Sequence, residues 1–134
     1  MNAKEYLGQA YRIDLRIHSK QEQIKSLNDL ATRATNVISD MPGSATRNVH
    51  KMEDVVVKIV DMQEEIKHDI GRLVDLKADI MGNIKKVESP EQQTLLELRY
   101  LCFKSWEEIA VDMGYTVRNI YFLHRQALRN VTFH

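Results

Sequence analysis

The sequence predicts an all-α chain, a long antiparallel helical hairpin (a coiled coil) followed by a small helix-turn-helix domain. Three observations predict it. Apolar residues recur in alternating steps of three and four from Tyr6 to Val87, a rhythm of helical seams rather than strands. One Pro-Gly break, Met41-Pro42-Gly43-Ser44, interrupts that rhythm near its middle. Three capped helix starts then crowd the stretch from Ser89 to Thr116.

In the first segment the seam reads Tyr6, Ala10, Ile13, Ile17, Ile24, Leu27, Ala31 and Ala34, with Lys20 the off-type occupant. After the break it returns at Val49, Met52, Val56, Ile59, Ile66, Ile70, Leu73, Ile80, Ile84 and Val87, interrupted by Gln63 and Lys77. Each segment supplies about 50–60 Å of helix at 1.5 Å per residue. Two helices of matched length joined by a short loop read as an antiparallel hairpin. Gly8, Gly71 and Gly82 weaken the helices locally, by up to about 1 kcal/mol each against alanine. Leu7, Leu30, Val60, Val74 and Met81 lie beside the seam and widen the apolar stripe. They need cover from a second hairpin or from the C-terminal module, and a homodimer closing a four-helix bundle is the favoured arrangement.

Ser89-Pro90-Glu91-Gln92 marks the boundary between residues 1–88, the hairpin, and residues 89–134, the helix-turn-helix domain. Serine caps, proline takes the first helical position, and a helix is expected from Pro90 to about Phe103. Ser105-Trp106-Glu107-Glu108 is a second capping box, opening a short helix that ends at Gly114. Thr116 caps a last helix from Val117 to about Val131. Within this module Ala110 is small where the helices cross and Gly114 supplies a left-handed turn. Ile109, Met113, Ile120 and Leu123 face inward. Cys102, in Leu98-x-x-Leu101-Cys102, reads as a small core residue.

The outer face of the last helix is then Val117, Arg118, Asn119, Tyr121, Phe122 and Arg125. With the cap Thr116 and with Arg129 these form the expected DNA-binding set, the helix N-terminus meeting base edges in the major groove. Arg118 suits guanine and Asn119 adenine by bidentate pairing. Tyr121 and Phe122 either touch thymine methyls or pack on the coiled coil.

Charge sets limits on this reading. The chain of 134 residues has 19 basic and 19 acidic residues, so its bulk field does not attract nucleic acid. From Val117 onward, however, Arg118, Arg125, Arg129, His124 and His134 occur without any acid. That is a small footprint of modest phosphate affinity, and tight binding needs a dimer or a partner. No apolar run spans a membrane, no signal peptide opens the chain, and one cysteine fits a reducing compartment, so a cytoplasmic location is expected. Glu65-x-x-His68 lacks the second copy a di-iron site needs, and His18, His50 and His68 are too scattered for zinc. No phosphate-binding loop or nucleophile motif is present, and neither an enzyme nor a cofactor is expected.

Leu95-Leu96-Glu97-Leu98-Arg99-Tyr100, Ser105-Trp106-Glu107-Glu108-Ile109-Ala110 and the stretch from Tyr115-Thr116 to Val131 resemble region 4 of RNA polymerase sigma factors. In that family a similar last helix reads the promoter −35 element. The outer positions Val117, Tyr121 and Phe122 depart from the arginines and glutamate usual there, and the promoter-melting parts have no counterpart. The chain is still more similar to small phage and prophage proteins of Gram-positive bacteria that join a coiled coil to such a module, related to ArpU-like and RinA-like late regulators. Lys51-Met52-Glu53-Asp54 and His124-Arg125-Gln126-Ala127-Leu128 carry that resemblance. It implies a transcriptional activator of late genes that binds double-stranded DNA beside host RNA polymerase, as a homodimer in the bacterial cytoplasm. The alternatives are a DNA-packaging factor of the small-terminase kind and a polymerase-binding module without DNA specificity of its own.

Overall fold

The computed structural model describes the backbone of residues 1–38 and 45–134 and the side chains of residues 1–33 and 50–134. The expected Met41–Ser44 break and the side chains of the seam positions Ala34 and Val49 lie outside what is described. Among the described residues the structure is all-α, without a strand: α1 (Ala3–Leu7), α2 (Gln9–Ile38), α3 (Ala45–Lys85), α4 (Pro90–Leu96), a π-helical turn (Glu97–Leu101), α5 (Trp106–Met113) and α6 (Val117–Arg129). None of the helices searched is long and apolar enough to cross a membrane.

Residues 15–71 form one compact unit from parts of α2 and α3. On α2, Ile17 is buried and Ile24, Leu27 and Ala31 are half-buried, as the seam requires. Lys20 interrupts that seam for a reason. Its ammonium lies 2.7 Å from Asp69 Oδ2 and 3.4 Å from Glu65 Oε2, and Asp69 is only 3% exposed. On α3 the inward series is Met52, Val55, Ile59, Met62, Ile66 and Asp69. Val56 and Ile70, expected in the seam, are instead 56% and 45% exposed. The inward series keeps the alternating steps of three and four of a heptad seam, but Val55, Met62 and Asp69 take the places expected for Val56, Gln63 and Ile70. That turns Asp69 inward to meet Lys20 and carries Ile70 out.

Residues 1–14 and 72–134 form the other unit. One cluster joins Tyr6, Leu7 and Ala10 to Ile80, Ile84 and Val87, and to Leu96, Tyr100, Ala127 and Val131. A second unites Leu95, Ile109, Ala110, Ile120 and Leu123. Compactness therefore divides the chain differently from the boundary at residue 88. Short α4 and α6 have apolar backs that they cannot cover between themselves, and the residues assigned to the hairpin's ends cover them. Leu7, expected beside the seam, is fully buried for this reason. Tyr6 anchors the same region: its hydroxyl donates to Asp79, accepts from Asn83 Nδ2 at 2.6 Å, and its ring stacks on Phe133 with centroids 4.6 Å apart. Burial, reinforced by Asp79, pushes its pKa up to about 12. Asp79 and the ring of Phe133 thus hold one buried tyrosine from two sides.

The expected caps form. Ser89, Ser105 and Thr116 accept from the amides of Gln92, Glu108 and Asn119. The helix expected to reach Phe103 departs from plan. After Leu96 it widens into the π turn, where the Cys102 amide reaches back to the Glu97 carbonyl at 3.0 Å. Phe103 then adopts φ 58°, a left-handed conformation costing a non-glycine residue about 1–2 kcal/mol. The extra residue in the turn changes which side chains face inward, and Cys102, expected in the core, is exposed.

Candidate nucleic-acid interface

α5 and α6 meet across a tight turn. Gly114 takes φ 74° and ψ 31°, a conformation that only glycine adopts without strain, and the Tyr115 amide donates to the Ala110 carbonyl at 2.9 Å. The turn is tied to α4 as well, because the Tyr115 hydroxyl donates to Glu91. At the far end of α6, Asn130 Nδ2 donates to Gln92 Oε1 at 2.8 Å. Bonds to α4 thus brace both ends of α6.

The buried side of α6 is Ile120, Leu123, His124 and Ala127. Its opposite side carries most of the residues expected to bind DNA. Arg118, Asn119, Arg125 and Arg129 are exposed, and Tyr121 and Phe122 are 44% and 56% exposed. Thr116 is exposed too, with its hydroxyl engaged as the cap. Val117 differs from expectation: it is half-buried against the Leu95–Ile109–Ile120 cluster, since the first turn of α6 has to close over α5. Arg118, Phe122, Arg125 and Arg129 follow one another at steps of four, three and four, a single line of about 16 Å along the helix. No ion pair among the described residues engages these three arginines.

Trp106, in the first turn of α5, organises the region beneath. Its ring meets His124 edge-on at 4.5 Å and Tyr121 at 5.3 Å, and Arg99 lies over it at 4.2 Å. Tyr121 thus packs on α5, an arrangement that is neither of the two expected from the sequence, thymine methyls or the coiled coil. The Tyr100 hydroxyl lies 2.5 Å from His124 Nε2. Burial, then the cations Lys4 and Arg99, hold the His124 pKa down to about 4. Burial pushes Tyr100 up to about 12. Sequence reading missed Arg99 and Trp106 as partners. The motif signalled only a helix start, and nothing in the spacing relates residue 99 to a ring seven positions on across a π turn.

A family model described as "Protein of unknown function (DUF1492)" matches residues 34–132. No curated protein and no solved structure matches the chain.

Proposed function

The chain belongs to the DUF1492 family, of unknown function, and from its own surfaces we propose a transcriptional regulator of phage type that binds duplex DNA through α6. The observation carrying this reading is the line Arg118, Phe122, Arg125 and Arg129 on an exposed, acid-free helix face braced at both ends. An α-helix of this kind fits the B-DNA major groove, about 12 Å wide. In this reading α5, the turn and α6 work as a helix-turn-helix. Arg118 and Asn119 meet base edges, Phe122 meets thymine methyls, and Arg125 and Arg129 meet phosphates.

Three arginines on a chain of net charge zero make a small electrostatic footprint. A homodimer doubles it. Val56, Val57, Val60 and Ile70, exposed on α3 within the unit of residues 15–71, supply the apolar surface for pairing. The resemblance to sigma region 4 and to ArpU-like and RinA-like regulators supports action beside host RNA polymerase, in the bacterial cytoplasm. A second reading, a module whose α6 grips polymerase alone, is favoured by the exposed aromatic Phe122 among the arginines.

The test is selection of bound duplexes from a randomised pool at about 50 mM salt. Enrichment of a motif supports a sequence-specific regulator. No duplex retained, with retention on purified polymerase, transfers the role of α6 to the second reading.

A further inference from the structure

A cavity of about 540 Å³ lies within the unit formed by residues 1–14 and 72–134. Small-molecule sites span roughly 300–1,000 Å³. Tyr11, Phe103 and Trp106 give this one aromatic walls, and Lys4, Arg12 and Arg99 also line it. Two acids share the lining, but both are engaged nearby. Glu5 accepts from the Asn2 backbone and side chain, and Glu108 accepts from the Ser105 hydroxyl.

The cations are less committed. The Lys4 ammonium has no hydrogen bond or ion pair among the described residues. Arg12 donates to the Glu5 carbonyl at 3.2 Å, and Arg99 donates to the Lys104 carbonyl at 3.0 Å while covering one face of Trp106 at 4.2 Å. A guanidinium has five donors, so both keep N–H groups for a ligand. Backbone strain converges on the same wall, since the π turn carries Arg99 and the left-handed residue is Phe103. Such strain and such turns gather where a ligand is held.

We propose that this cavity binds a small anion bearing a planar aromatic ring, the chemistry of a nucleoside phosphate. Three cations against Glu5 and Glu108 leave one positive charge in excess, which a neutral apolar ligand would cover without balancing. A bare phosphate would leave the aromatic walls unused. A base stacked on the rings, with its phosphates on Lys4 and Arg12, satisfies both halves of the lining. The proposal is independent of whether α6 binds DNA.

Trp106 is the only tryptophan, so the cavity reports on itself. The full chain is titrated with ADP, GDP and UDP, and separately with adenosine and pyrophosphate, by tryptophan fluorescence and by calorimetry. At least one nucleotide should bind saturably, and at least about tenfold more tightly than adenosine or pyrophosphate. The exposed pair Lys4→Ala and Arg12→Ala together should weaken that nucleotide at least about tenfold with an unchanged unfolding midpoint. Tyr11→Ser, a second exposed variant, should weaken it independently if the double variant folds poorly. No saturable nucleotide signal overturns the proposal, as does pyrophosphate binding as tightly as the nucleotide, or undiminished affinity in the variants.

Discussion

The Tyr100 hydroxyl and Nε2 of His124 share a buried hydrogen bond of 2.5 Å, which joins the π turn to the inner face of α6. Both partners are neutral near pH 7. Tyrosine, pushed up to about 12 by burial, keeps its proton, and histidine, held down to about 4 by burial and by Lys4 and Arg99, stays uncharged.

Stability should consequently fall in acid. The folded pKa of His124 lies below the unfolded value of about 6.5, so between these values the unfolded chain binds more protons. The stabilisation is complete above about pH 6.5 and is lost as pH drops toward 4, by up to about 3 kcal/mol. Urea unfolding at pH 7, 5.5 and 4 measures it. An NMR titration of His124 centred near 6.5 would remove the explanation; the four other histidines are exposed, which sets this one apart.

Glycine substitutions should split by sign. A Cβ at Gly114 meets nothing within 4 Å, so Gly114→Ala is penalised by its φ of 74° alone, about 1–2 kcal/mol. Gly114→Asn should cost less, because asparagine tolerates that region. Gly71 and Gly82 are also open but lie inside α3, and alanine there should add up to about 1 kcal/mol each. Chemical denaturation of the four single variants checks the pattern.

The arginine line predicts two kinds of binding defect. Arg118→Ala should cost about 1–3 kcal/mol on the selected site and relax its sequence preference. Arg129→Ala should weaken all duplexes alike and lower the salt slope by about one. Anisotropy titrations across salt separate these effects, and wild-type affinity in both variants would exclude α6 as the contact.

Lys20 and Asp69 act as a pair within the apolar seam of residues 15–71. Asp69→Leu alone should destabilise, since it removes the closest partner of Lys20. Changing both residues to leucine should recover the loss and loosen the choice of register or oligomeric state. Unfolding midpoints with light scattering test this, and a double variant as unstable as the single would contradict it.

A fragment of residues 89–134 should unfold without cooperativity. It retains the Leu95–Ile109–Ile120 cluster but exposes Leu96, Tyr100, Ala127 and Val131, whose cover comes from Leu7, Ala10, Ile80 and Ile84. Near-UV circular dichroism and hydrogen exchange on the fragment report it, and native-like protection there would make these contacts dispensable.

Much of this architecture is legible in the sequence because it rests on local chemistry. The caps Ser89, Ser105 and Thr116, the turn at Gly114 and the seam from Tyr6 to Ala31 each need only a few adjacent residues. What the sequence hides depends on distant partners. Asp69 turns inward because Lys20 is there, Leu7 is buried because α4 and α6 need cover, and Cys102 is exposed because a π turn intervenes. The outer face of α6 was readable except at Val117, where periodicity does not reveal that the first turn closes on α5. The cavity left no trace, for its lining comes from residues 4–12 and 99–108, and no motif links them.

The joining of Tyr6, Leu7 and Ala10 with Ala127 and Val131 also sets an order of events on the ribosome. Synthesis proceeds at about 5–20 residues per second, so Leu7 leaves the exit tunnel on the order of ten seconds before its C-terminal partners exist. Residues 15–71 have their pairing partners among themselves and can close while the rest is still being made. The nascent chain carries Tyr6, Leu7 and Ala10 without their C-terminal cover through that interval.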